Sequence, residues 1–192
     1  LLVTGYLKAM KTTPSFNGDF MCEVSLPNRE ISLVYNKEIL QKLNGIVPQA
    51  TAISIQEAIY AGNTDALQKS LGTLLMQSVS SYDAAGENFY HGLVLGLCAT
   101  MDNRFFITSN RESGMGRCDI CLCPKDDRLP GVLIELKAAK DCSEDGLKEL
   151  SEKALAQINN QKYETELTSK GVKNVLKYGV AFSGKKVRIA MM

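Results

Sequence analysis

Apolar and polar positions along this chain follow two periods, and the change between them marks the elements. In residues 5–10 and 20–28, "GYLKAM" and "FMCEVSLPN", the pattern is extended, around the loop "TTPSFNGD". "NKEILQKLNG" reads as a short helix capped by Asn36 and stopped by Gly45, and "SIQEAIYAG" as another. In "NTDALQKSLGTLLMQSVSSY" the residues Leu67, Leu71 and Leu74/Leu75 recur at helical spacing behind capping residues. From residue 84 the chain reads helix, strand, strand, strand, helix, strand, strand. The first helix is "AGENFYHGLVLGLCATM", with Phe89, Leu93, Gly96 and Leu97 expected on its buried face. "RFFITSNRE", "RCDICLCP" and "VLIELKAA" are the three strands, and the short turn "PKDDRLPG" predicts that the third returns antiparallel to the second. One long amphipathic helix is expected over 143–167, then two strands around Ser183-Gly184. The order implies an α/β fold with a mixed sheet over 63–192, behind a small β/helical appendage over 1–62.

The strand at 131–140, "GVLIELKAAK", breaks its own apolar pattern. Alternation puts Val132, Ile134 and Leu136 on one face and Leu133, Glu135 and Lys137 on the other. A buried charge needs a partner or a metal. A Glu–Lys pair on a half-exposed edge strand meets that need without any chemistry. The preceding strand changes the balance, because it also carries one acid, Asp119, within an apolar run. Two carboxylates on adjacent strands, a main-chain carbonyl (Leu136 is the candidate) and waters form an oxygen set suited to Mg²⁺ or Mn²⁺. A cation there would polarise a phosphoryl oxygen and activate water. Lys137 would orient or deprotonate that water and offset phosphate charge. Burial lowers a lysine pKa and nearby carboxylates raise it, and the sign of the sum is not legible in sequence.

Composition narrows the field without deciding it. The 192 residues are 45% hydrophobic and 22% charged, an ordinary globular balance with room for a core. The net charge of +1 argues against a strongly basic nucleic-acid binder but allows a local basic groove. The longest apolar run, "GLVLGLCA", is too short for a membrane span. Six cysteines show no secreted disulfide spacing, so a reducing cytoplasm is expected. The chain opens on "LLVTGYLKAM", without a basic leader or starting methionine, which suggests a piece of a longer gene product.

Asp119 followed by "IELK", with Glu135 and Lys137, resembles the D…(D/E)-x-K signature of the PD-(D/E)XK nuclease superfamily. The element order resembles that family's restriction-endonuclease-like α-β-β-β-α-β core. "LLVTGYLK", "ENFYHGLVLGL" and "ALAQINNQKY" are similar to a bacterial group in which such a domain follows an AAA-ATPase-like domain. The resemblance implies a metal-dependent nuclease acting on DNA or RNA, with Asp119 and Glu135 as metal ligands, Lys137 as the catalytic lysine and the ATPase-like domain as a partner. In that family the first acid often follows a proline, whose place Cys118 takes here. No G-x-x-x-x-G-K-[ST] loop occurs, so ATP hydrolysis is not expected of this stretch.

Other residues carry weaker signals. Glu87 resembles an acid that assists or adds a metal, and the start of a helix favours acids in any case. His91 lies one turn on and shares its face, and a lone histidine also serves as a satisfied core group. Tyr90 either reaches toward the site or fills the core. Ala154, Gln157 and Gln161 share a helix face, so Gln157 would position Glu135, Lys137 or a phosphate, or simply border the buried face. Tyr163 loosely fits a tyrosine found downstream of the glutamine in similar families. Arg117, with Arg104, Arg111 and Lys140, is a candidate phosphate contact or ordinary surface charge. Cys118, Cys121 and Cys123 resemble a zinc cluster, but alternation should point Cys118 away from the other two. The leading function is therefore a metal-dependent phosphodiesterase. The alternatives are a catalytically silent binding or regulatory module with the nuclease fold and, more weakly, a zinc-binding interaction domain.

Overall fold

The computed structural model describes residues 8–14, 20–25, 27–28, 30, 48–78, 86–113 and 115–192. The expected helix at 36–45 lies outside them. The chain divides into two compact units, residues 1–46 and 47–192. The first holds a two-stranded antiparallel sheet, β1 (Lys8–Pro14) and β2 (Phe20–Ser25), with a register shift between Ala9 and Lys11.

The second unit contains helices α1 (Gln49–Ala61), α2 (Thr64–Ser78) and α3 (Glu87–Ala99), strands β3 (Phe105–Ser113), β4 (Gly116–Pro124) and β5 (Gly131–Ala138), helices α4 (Glu144–Asn160) and α5 (Thr165–Ser169), and strands β6 (Val175–Ser183) and β7 (Lys186–Met191). Its five-stranded sheet runs β3-β4-β5-β6-β7. Every neighbouring pair is antiparallel except β5 and β6, which are parallel and joined through α4. This is the mixed sheet and restriction-endonuclease-like order expected from the sequence. Among the described residues no helix is long and apolar enough to cross a membrane.

Two apolar layers flank the sheet. On one side Val132, Ile134 and Leu136 of β5 join Tyr178, Val180 and Phe182 of β6 under α1, α2 and α3. On the other, Leu133 packs with Cys118, Cys121, Ile158, Tyr163 and Leu167. The sequence grouped residues 49–61 with the appendage, but Ile55, Ala58 and Ile59 of α1 are buried in the larger core. Tyr178 donates to the Ile59 carbonyl at 2.5 Å, and Gln56 of α1 donates to Leu97 O and Thr100 Oγ1 at the end of α3. Helix α1 therefore belongs with the sheet.

The buried face of α3 is Tyr90, Val94, Leu97 and Cys98, with Phe89 and Leu93 only partly covered. This differs from the expected face because the helix is apolar nearly all round, so spacing alone does not choose a side. The single long helix expected over 143–167 is broken. Helix α4 is capped by Ser143, which accepts from Gly146 N at 3.1 Å, and it ends at Asn160. Lys162 then takes φ 52°, and α5 starts at Thr165. The break turns Tyr163 back into the second apolar layer.

Candidate active site

Strand β5 is central, with both faces covered, and Glu135 is 1% exposed. Its parallel neighbour in β6 is Gly179. A Cβ there would sit 2.1 Å from Ser151 O and 2.4 Å from Leu155 N, so α4 rests directly on the strand backbone. Beside Glu135 the sheet is thus covered by helix main chain, with no room for a side chain at position 179.

The β4–β5 ladder pairs Ile120–Leu122 with Val132–Ile134 and goes no further. Past its end, Asp119 Oδ2 accepts from Leu136 N at 2.8 Å. One acid is thereby tied to the backbone next to the other. Lys137 Nζ donates to Glu135 Oε1 at 2.9 Å. Glu135 Oε2 is buried and has no hydrogen-bond partner among the described residues. An unpaired buried carboxylate oxygen is costly. Burial pushes the Glu135 pKa up to about 7 against the pull of Lys137 and of the Asp119 backbone amide, and the neighbouring Asp119 charge adds to the rise. For Lys137, burial lowers the pKa, but the Glu135 hydrogen bond and the charges of Glu135, Glu87 and Asp119 outweigh it and the net shift is upward. Lys137 is therefore an ammonium at neutral pH.

The remaining candidates separate into those brought near this group and those led away. Glu87 is exposed in the first turn of α3, close enough for its charge to favour the Lys137 ammonium. His91 Nε2 lies 3.3 Å from the Asp119 carbonyl oxygen and 3.0 Å from Ser109 Oγ. Gln157 Nε2 donates to the Tyr163 hydroxyl at 3.2 Å. Tyr163 is buried, and burial raises its pKa, as do the charges of Glu135, Cys118 and Asp119. Tyr90 is a core residue: it stacks on Phe182 at 4.3 Å and donates to Gly184 O at 2.7 Å. Arg117 is exposed, opposite Glu112 in the β3–β4 register. Arg104 sits beside the Phe105–Pro124 pair, about five residues or roughly 17 Å along the sheet from Asp119. It lies over the Tyr60 ring there, which removes it from the suggested group of phosphate contacts.

The cysteines correct the expected alternation. Cys118 shares its layer with Cys121 and Cys123, while Ile120 and Leu122 face the opposite layer. Alternation fails between Cys118 and Ile120, at Asp119 itself. Burial pushes the Cys118 thiol well above its usual range and Cys121 up to about 11, which favours inert core thiols. Among the described residues no three His, Cys, Asp or Glu side chains are grouped to hold a metal. Neither the cysteines nor Glu87 with the two other acids forms such a cluster. Asp119 and Glu135 present only oxygen, and Glu135 Oε2 is an acceptor without a donor among the described residues. That pair fits a hard divalent cation completed by main chain and water.

A family model of the PD-(D/E)XK nuclease superfamily matches residues 85–191, more than half of the chain. The chain belongs to the PD-(D/E)XK nuclease superfamily. The match covers α3 through β7 and so contains the acid–acid–lysine group. No curated protein matches the chain. Within this PD-(D/E)XK domain the sequence reading passed over three residues. Ser109 and Asn110 contact His91, and Gly179 admits α4 to the strand. An asparagine inside a strand is unfavourable, and that was the available signal for Asn110. Nothing local marks Gly179, because its role depends on a helix more than twenty residues away.

Proposed function

We propose that this domain is a metal-dependent nuclease that hydrolyses phosphodiester bonds of DNA or RNA. The observation that carries the reading is the buried Glu135 carboxylate, one oxygen held by Lys137 and the other without a donor among the described residues, beside Asp119. Asp119 and Glu135 Oε2 would hold Mg²⁺ or Mn²⁺. The carbonyl of Leu136 would join them, because N–H and C=O of one strand residue point to the same edge and its N–H already meets Asp119. A cation held there supplies Lewis-acid polarisation of the phosphoryl oxygen and activation of water.

The protein's own groups do the rest. The Leu136 amide fixes one oxygen of Asp119 and leaves the other free. The Lys137 ammonium holds Glu135 Oε1, which turns Oε2 outward from that contact. The same ammonium, 28% exposed, presents positive charge to a phosphate and to the charge that develops as the leaving oxygen departs. The Gln157–Tyr163 pair, within electrostatic reach of both acids, would bound the phosphate side of the site. The proposal includes an AAA-ATPase-like partner domain in the same bacterial, cytoplasmic gene product, which rests on the family resemblance alone.

Cleavage of fluorescent single- and double-stranded DNA and RNA, with Mg²⁺, Mn²⁺ or EDTA, tests the reading. Cutting that needs metal and is lost in Asp119→Ala and Lys137→Ala, with folding retained, supports it. Metal-independent cutting, or cutting unaffected by both substitutions, contradicts it. A folded wild-type protein that binds nucleic acid without cutting any of them favours the silent module.

A further inference from the structure

The β3–β4 ladder misses one rung. Ser109 pairs with Ile120 and Arg111 with Cys118, but Asn110 and Asp119 between them do not pair. Asn110 takes φ 52°, a left-handed conformation that asparagine tolerates better than most residues and that turns its peptide groups out of the ladder. The same position is where β4 changes face, since Cys118 and Ile120 enter opposite apolar layers. Asp119 therefore has no register partner in β3 to fix its plane. His91 Nε2 stands 3.3 Å from that oxygen, with Ser109 Oγ at 3.0 Å and Asn110 Nδ2 at 3.5 Å from the same ring nitrogen.

We propose that His91 is the positioning residue for Asp119: its imidazole stands in for the missing rung and sets the direction of the Asp119 side chain. With its proton on Nε2 the ring donates to the Asp119 carbonyl. The peptide plane of Asp119 is then held from α3 on one side, while Oδ2 is held by the Leu136 amide on the other. Two anchors on one residue determine where the free carboxylate oxygen points. The role in metal binding rests on the reading of Asp119 as a ligand, whereas the positioning of the carboxylate does not. His91 is one turn from Glu87 yet serves the main chain of Asp119, so in this assignment it is not itself a metal ligand.

The Leu136 amide reports the Asp119 carboxylate without any metal, because Asp119 Oδ2 is its acceptor. Amide hydrogen exchange on metal-free protein should show Leu136 exchanging about tenfold faster in His91→Ala, the loss expected for one weakened hydrogen bond. The amides of Val132–Ile134 should keep wild-type protection. His91→Gln, whose side-chain amide reaches the position of Nε2, should restore Leu136 to near wild type. Unchanged Leu136 exchange in His91→Ala overturns the proposal, as do equal losses along all of β5 or failure of the glutamine to restore. A second arm titrates Mn²⁺ alone and reads the free ion by EPR. Affinity should fall about tenfold or more in His91→Ala and recover in His91→Gln, as for groups that orient a ligand. Wild-type protein that shows no Mn²⁺ site sensitive to Asp119→Asn overturns the metal reading, and the exchange result then decides the positioning role by itself.

Discussion

Replacing Glu135 by glutamine should stabilise the metal-free protein in alkaline buffer and lose that advantage in acid. Burial moves the Glu135 pKa from an ordinary 4.5 to about 7. An acid raised in the folded state opposes folding once it must ionise. Below about pH 4.5 it is protonated in both states and contributes nothing. Between about 4.5 and 7 the unfolded chain ionises first, and stability falls as pH rises. Above about 7 the full cost is present. At about 1.4 kcal/mol per pH unit the shift corresponds to about 3 kcal/mol, an upper figure because the glutamine also gives up part of the Lys137 contact. Urea unfolding of wild type and Glu135→Gln at pH 5 and pH 8, in EDTA, isolates this group, since other titrations cancel in the double difference. The variant should gain about 1–3 kcal/mol relative to wild type on going from pH 5 to pH 8. A difference independent of pH, or one of opposite sign, would refute the claim that burial governs this carboxylate.

Gly179→Ala should destabilise by about 3 kcal/mol or more in urea unfolding, because the new methyl meets Ser151 O and Leu155 N of α4, backbone atoms that cannot move aside. Tyr178→Phe should cost about 1–2 kcal/mol by the same method, through the lost hydrogen bond to the Ile59 carbonyl, and unaltered stability would detach α1 from the core as described. Mn²⁺ should raise the thermal midpoint of wild type at pH 8, and thermal scans of Asp119→Asn and Glu135→Gln should show little or no such rise.

What the sequence disclosed, and what it withheld, follows from how local each signal is. The faces of β5 were legible because a central strand in a parallel pair is apolar throughout, so one acid and one lysine two residues apart stand out. The antiparallel return from β4 was legible from the turn at 124–131. The face of α3 was not, because Phe89, Tyr90, Leu93, Val94 and Leu97 offer two equally apolar stripes. The end of α4 was hidden since "NNQKYE" contains neither proline nor glycine, and the reversal rests on Lys162 at positive φ. The reversed placement of Cys118 required knowing that Asn110 breaks the ladder opposite Asp119. For Lys137, burial and three carboxylates act in opposite directions, so only the assembled geometry gives the upward sign.

A crystal of the protein soaked in Mn²⁺, with the anomalous signal located, tests the central claim most directly. The account predicts a single strong peak about 2.0–2.3 Å from an Asp119 carboxylate oxygen, from Glu135 Oε2 and from the Leu136 carbonyl oxygen, with Lys137 still on Oε1. A peak bound elsewhere, with Glu135 Oε2 left unliganded at saturating Mn²⁺, would contradict it.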